Sequence, residues 1–350
     1  IFYIIKFLLT MDFNNLSSNS TILGDLFYTT YKNAGLSAGL VTMAVLIALC
    51  AVPGNCMNLF LVYLTIKRKS LRGSSNYLLA LNSFYEFLHQ TGHYIFLFTI
   101  LSGRNFIPFF GSAIFQLQSI FGFNAAIFTM IETAVDRFLA VVTPKLHAKI
   151  EGKTYLTIHT LLSCIPGVYL AARVLSYAMD NPNEPVTGQL SDTCTPVNLI
   201  YYYNMVVCCI TFILYLLIGI IVWKKRSEQS AGNKRLFRSL AAICGLLVGS
   251  YFFNTVLRMA VVNWLDPVQL WFVNVAGGVL VNIGAAANTP ILYIFSTEYR
   301  REIQKEIRFL SSTNSMATTN IQQVVPLHAK TVKHTNLPTY SKPLPITTKW

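Results

Sequence analysis

The sequence predicts an all-α membrane protein, a bundle of seven spanning helices with its N-terminus outside and a short amphipathic helix after the last span. Three observations carry that prediction. Hydrophobic residues make up 53% of the chain and charged residues 12%, whereas soluble domains carry roughly 25% charge. Seven apolar stretches each reach about 20 residues or more, enough to cross the hydrocarbon of a bilayer. The basic residues gather in alternate connections between those stretches.

The chain opens at Ile1 with IFYIIKFLLT, too short to span and without an evident cleavage site. A fragment or a misplaced start is the expectation, so residues 1–10 need not be native, and Met11 is a candidate initiator. The polar segment 1–37 carries two glycosylation sequons, Asn15-Leu16-Ser17 and Asn19-Ser20-Thr21, as an extracellular N-terminus would. Apolar stretches follow at 38–66, 76–102, 109–142, 153–176, 199–223, 236–262 and 269–295.

Basic runs lie after the first, third, fifth and seventh stretches: KRKSLRGS, PKLHAKIEGK, KKRSEQSAGNKR, and then Arg300, Arg301, Lys305 and Arg308. Of the 27 Lys and Arg, 22 fall on this same side by the sequence pattern, the exceptions being Lys6, Lys32, Arg104, Arg173 and Arg258. The opposite loops hold Asp180, Glu184, Asp192 and Asp266. Basic residues stay cytoplasmic, so the N-terminus is expected outside and the C-terminus inside. The net charge of +13 is thereby a matter of topology and does not call for nucleic acid.

Beyond the last stretch, Tyr299, Ile303, Ile307 and Leu310 recur at helical spacing among basic residues, the pattern of a helix lying on the inner leaflet. The membrane-embedded body is expected over 38–310. Residues 311–350, polar and Pro-containing, are expected to form a disordered cytoplasmic tail. Six of the seven cysteines lie in apolar stretches and only Cys194 in a polar loop, so no disulfide scaffold is expected.

Polar groups inside apolar stretches are costly and therefore informative. Asn55 sits in the first, and Glu86 in the second with His89, Gln90 and His93 on the face above it. Glu132 and Asp136 share a face of the third, which ends Asp136-Arg137-Phe138 before Pro144. Asn254 and Arg258 lie on one face of the sixth, and Asn282, Asn288 and Thr289 precede Pro290 in the seventh. Glu86 is expected to point inward, toward Asn55 and the Asn288-Thr289-Pro290 break. His89 and His93 have metal-ligand spacing with Glu86 as a third donor. The lining of a wet cavity accounts for them better, and no metal or other cofactor is expected. An ion pair at a helix end accounts for Asp136-Arg137 as well as a switch does.

An enzyme finds no support. The sequence has no HExxH or P-loop, and no lysine between Lys234 and Lys305 to form a Schiff base with retinal. The alternative to a receptor is a seven-helix transporter or channel using the polar face Glu86, His89 and His93, although no inverted repeat is evident.

Taken in order, Gly54-Asn55, the NYLLALNSFYE run ending at Glu86, DRF with LAVVTP, Tyr215, and PILY from Pro290 to Tyr293 resemble a rhodopsin-like G-protein-coupled receptor. With FSTEYR from Phe295 to Arg300 and a short third inner loop, the chain resembles the Srsx-type serpentine chemoreceptors of nematodes over about residues 38–310. The resemblance implies a receptor in the plasma membrane, in sensory cilia by analogy. Its partners would be a heterotrimeric G protein, a small extracellular ligand and the lipid bilayer, with arrestin and a kinase at the tail. It implies that Asp136 holds Arg137 at rest, that Arg137 is released to the G protein, and that Tyr215 and Tyr293 move in to support it.

The chain also departs from that pattern. Glu86 replaces the usual Asp. Asn288 comes one residue early and Ala285 and Ala286 stand nearby, so a sodium site around Glu86 is not expected. Tyr251-Phe252-Phe253 stands where Trp-x-Pro is usual. Ser112 occupies the place of the cysteine that would pair with Cys194, which is left free or with an unidentified partner. Ser119 replaces the aspartate of amine receptors, which disfavours amines.

Gln116, Ser119, Tyr202, Asn254, Arg258, Trp271 and Asn274 are candidates to line an outer cavity, or else interfacial aromatics and inter-helix bonds. Arg258 would bind a carboxylate-bearing odorant or a short peptide, unless it pairs with Asp266 or reaches the headgroups.

Overall fold

The computed structural model describes residues 23–197, 199–224 and 231–309. Asn15, Asn19, the candidate initiator Met11 and the segment 311–350 lie outside the described residues. The first apolar stretch is helix α2 (Ala38–Lys67), preceded by the short α1 (Asp25–Tyr31). The second is divided into α3 (Ser74–Thr91) and α4 (His93–Leu101), and the third is the 34-residue α5 (Phe109–Val142). Helix α6 (Pro144–Ile150) fills a connection expected to be a loop. The fourth stretch is α7 (Lys153–Asp180), the fifth α9 (Leu199–Lys224) and the sixth α10 (Ala231–Val261). Between α7 and α9 lies α8 (Leu190–Cys194), and the seventh stretch is divided into α11 (Pro267–Ala286) and α12 (Asn288–Phe295). One short antiparallel ladder pairs β1 (Ile107–Pro108) with β2 (Pro185–Val186), in register Ile107 to Val186.

Both divided stretches have local causes. At Gly92 a Cβ would collide with Ser119, so only glycine lets α5 come this close. The Ser119 hydroxyl donates to the His89 carbonyl, which also accepts from the Gly92 N–H at 3.3 Å, and so ties α5 to the break. In the seventh stretch Pro290 has no N–H to return to the carbonyl of Ala286, where α11 ends.

By length and composition alone, α2, α7, α9 and α11 suffice to cross a membrane. Helix α5 is the axis of the bundle, packing against α3, α6, α7, α8 and α9, while α2 and α10 each border α11 and α10 also borders α9. Its buried side run from Phe109 to Asp136 takes in Phe128, Ile131 and Glu132. Helix α9 is the opposite case: only 22% of its most apolar window is buried, so Phe212, Ile213 and Leu216 face outward, as a lipid-facing helix requires.

The chain divides into two compact units, 1–303 and 304–350, and the bundle lies in the first. Of the second, residues 304–309 are described and helical.

Candidate functional site

At the Asp136 end of α5, the helix stops at Thr143, whose extended φ of −130° turns the chain, and α6 restarts on Pro144. The turn brings α6 back under α5. Asp136 is fully buried and accepts three hydrogen bonds: from Arg137 Nη2 at 2.9 Å, from His147 Nε2 at 2.9 Å and from Tyr155 OH at 3.3 Å. Three donors compensate a buried carboxylate that would otherwise be prohibitively costly. Glu151, at the end of α6, accepts from the Ser74 backbone N–H at 2.9 Å, tying α6 to the start of α3. One turn up from Asp136, buried Glu132 lies 3.4 Å from His159 of α7.

The neighbouring candidates stand apart from this cluster. Tyr215 lies on an apolar groove between α9 and α10 with Phe212, Leu216, Val248 and Phe252. Tyr293 is 39% exposed, and its carbonyl accepts from Arg300 Nε at 2.7 Å. Sequence reasoning missed His147 and Tyr155. The available signal was a lone histidine in a basic connection eleven residues past Asp136.

The polar centre is arranged differently from the expectation. Glu86 does not meet Asn55 or Asn288. Its carboxylate accepts from Tyr251 OH at 3.1 Å and pairs with His89 Nδ1 at 2.9 Å. The reason is helical phase: Asn82 and Ser83, one turn earlier, take the face toward α12, and both lie 3.2 Å from Asn288 Nδ2. Asn55 Nδ2 donates to Tyr94 OH at 2.5 Å. Asn58, unremarked in the sequence, donates to the Ala285 carbonyl at 3.1 Å. Pro290 follows Thr289, whose hydroxyl donates to the Met57 carbonyl at 2.8 Å and pins the α11–α12 break to α2.

At the Cys194 end, β2 and α8 form a lid. Ser112, in the place of the missing cysteine, lies 3.1 Å from the Thr193 hydroxyl, next to Cys194. A hydrogen bond thus joins loop and helix where a disulfide was not to be expected. Gln116 Nε2 donates to the Gly188 carbonyl at 2.8 Å, and Phe109 N–H donates to the Glu184 carbonyl at 2.8 Å. Asp192 is buried in the lid and accepts from Thr187 Oγ1 at 2.5 Å, Thr187 N–H at 3.3 Å, Ser191 Oγ at 3.4 Å and Trp271 Nε1 at 3.1 Å. Burial pushes its carboxyl up to about 6, against the lowering effect of the Thr187, Trp271 and Ser191 bonds. Cys194 is buried and free, its thiol pushed up to about 12 by burial.

Beneath the lid is a cavity of about 60 Å³. It is lined from α3 and α4 by His89 and His93, from α10 by Asn254, from α11 by Asn274 and Asn282, and from the lid by Gln189 and Ser191.

Of the seven residues expected to line such a cavity, Asn254 and Asn274 do so. Gln116 and Trp271 are occupied in securing the lid, and Ser119 in sealing the Gly92 break. Tyr202 is 39% exposed on α9. Arg258 donates to Tyr201 OH and to Thr195 Oγ1, and its guanidinium lies 3.9 Å from the Tyr201 ring centre. It does not pair with Asp266, whose carboxylate caps α11 by accepting from Val268 and Gln269 N–H at 2.9 Å each.

No curated protein matches the chain. A family match covers residues 51–307, from α2 past α12, and its description is serpentine type 7TM GPCR chemoreceptor Srsx. That span takes in the later part of α2 and the described helices from α3 to α12, with both the Asp136 cluster and the lidded cavity. The chain belongs to the Srsx family of seven-transmembrane serpentine chemoreceptors.

Proposed function

We propose that this chemoreceptor detects a small extracellular molecule in the cavity beneath the Asp192 lid and activates a heterotrimeric G protein at the Asp136 end. The lid faces outside and α6 faces the cytoplasm of a cell whose plasma membrane the bundle spans. One observation supports this most. The Asp136–Arg137 pair, held by His147 of α6 and Tyr155 of α7, sits at one end of the same helix whose other end, through Ser112 and Gln116, carries the lid.

In this reading Asp136 restrains Arg137, and His147 and Tyr155 hold Asp136 in position. A ligand acts by binding one packing of the helices better than another, and the response is limited by that difference in affinity. Tyr215 and Tyr293 reach Arg137 in the second packing. The groove between α9 and α10 supports this part, because it leaves those two helices room to shift relative to one another.

The test is nucleotide exchange on G proteins in membranes carrying the receptor, challenged with pools of small molecules. Exchange should rise with at least one pool and fall to the receptor-free background in Arg137→Ala at matched surface expression. Exchange that persists in Arg137→Ala would overturn the assigned role of the pair. Solute flux or current surviving that substitution would favour a transporter.

A further inference from the structure

The cavity beneath the lid contains three unmatched polar atoms, and the identities of two of them can be worked out from their neighbours. Asn282 is fully buried, and its Nδ2 lies 3.0 Å from the Gly278 carbonyl and 3.0 Å from His93 Nε2. A backbone carbonyl only accepts, so the amide nitrogen faces Gly278 and the amide orientation is fixed. Nδ2 therefore donates to His93 Nε2 as well, which places the imidazole proton on His93 Nδ1. That leaves one donor, His93 Nδ1–H, and one acceptor, Asn282 Oδ1, both buried and both without a protein partner. The two side chains line the same cavity. Asn274 adds a second acceptor, its Oδ1 likewise buried and unpartnered.

Charge is absent from the surroundings. None of the described side chains lining the cavity is Asp, Glu, Lys or Arg. The nearest ionic groups are already engaged: Glu86 with His89 and Tyr251, Asp192 with Thr187, Ser191 and Trp271, and Arg258 with Tyr201 and Thr195. An ion entering here would lose its water without meeting a counter-charge. The space is also small, about 60 Å³, where sites for drug-sized ligands run roughly 300–1,000 Å³.

We infer that the cavity binds a small uncharged molecule that carries a hydrogen-bond acceptor and a donor side by side, of which a carboxamide is the simplest. Its carbonyl accepts from His93 Nδ1–H, and its N–H donates to Asn282 Oδ1 or Asn274 Oδ1. This deepens the receptor reading, since it rests on the cavity being the ligand site. It also replaces the carboxylate ligand suggested by Arg258 in the sequence.

Three probes of nearly equal size and shape separate the possibilities: acetamide, acetone and acetate. Acetone is neutral and only accepts; acetate accepts and is charged. Their binding to the full-length receptor in lipid nanodiscs is measured by saturation-transfer NMR without any G protein. Acetamide is expected to bind about tenfold or more tightly than either of the others, since a buried acceptor left unpaired is penalised on that scale. That advantage should shrink to less than about twofold in Asn282→Leu and in His93→Phe. His93→Phe keeps a ring of similar shape, so it remains informative where the leucine variant fails to fold.

Acetone or acetate binding as tightly as acetamide would overturn the inference, as would an absence of acetamide binding or an advantage that survives both variants. Because binding is read directly, a receptor that selects acetamide but never drives exchange would sink the signalling proposal and leave this one standing. Exchange driven only by charged molecules would do the reverse.

Discussion

Asp192 shows how one side chain sets a property of the lid. It is buried and accepts from Thr187, Ser191 and Trp271, which joins the loop between α7 and α9 to α11. Burial raises its carboxyl from an ordinary 3.8 to about 6. The folded chain therefore keeps this proton over a range of pH in which the unfolded chain has already released it. The stabilisation from this group is complete below about pH 4 and is lost as the pH rises through about 6. Asp192→Asn removes the titration. The melting temperature of the variant relative to wild type is expected to rise between about pH 4 and pH 7, with a change in stability of at most about 3 kcal/mol. A difference between the two proteins that stays constant across that range would show that Asp192 titrates normally.

At the scale of elements, α3 and α5 approach each other closely at Gly122. A Cβ on Gly122 would lie 2.5 Å from the Tyr85 carbonyl oxygen and 2.8 Å from the His89 nitrogen, both backbone atoms that cannot swing aside. Gly122→Ala should therefore separate the two helices and destabilise the protein by about 1–3 kcal/mol. Gly219 of α9 has nothing within 4 Å of the same position. Gly219→Ala should be neutral or stabilising by up to about 1 kcal/mol through helix propensity. Thermal unfolding of the two variants in matched lipid checks the contrast, and a Gly122→Ala protein as stable as Gly219→Ala would mean that α3 and α5 are not in contact there.

The same contact explains what could and could not be read from the sequence. The seven apolar stretches and their ends were legible because each depends on composition along one segment. The division at Gly92 was not, since it arises from Ser119, a residue on another helix. Phase was the other hidden quantity. Glu86 was visible as a buried carboxylate, but the face toward Asn288 belongs to Asn82 and Ser83, and nothing within α3 alone indicates which turn meets α12. Ligand candidates fared worst because aromatic and amide residues near the ends of spans are needed equally for sealing loops. Gln116 and Trp271 do that work here, while His93 and Asn282 line the cavity itself.

For the whole molecule, the signalling proposal depends on which end faces the cytoplasm. The distribution of charge argues for the Asp136 end, because the sequence pattern assigns all but five of the 27 Lys and Arg to that side. The lid end carries the buried Asp192 and the α11 cap Asp266 instead. Two labels decide the matter: an epitope ahead of Asn15 and another after Trp350, each read by antibody on intact and on permeabilised cells. The first should be detected on intact cells and the second only after permeabilisation. Glycosidase treatment should increase the mobility of the wild-type protein and leave a variant carrying both Asn15→Gln and Asn19→Gln unchanged. The opposite labelling would place Arg137 outside the cell, beyond the reach of any G protein, and the lidded cavity would then open to the cytoplasm. In that case the cavity could still select acetamide, but the signal it produced would have to leave the bundle by a route other than Asp136 and Arg137.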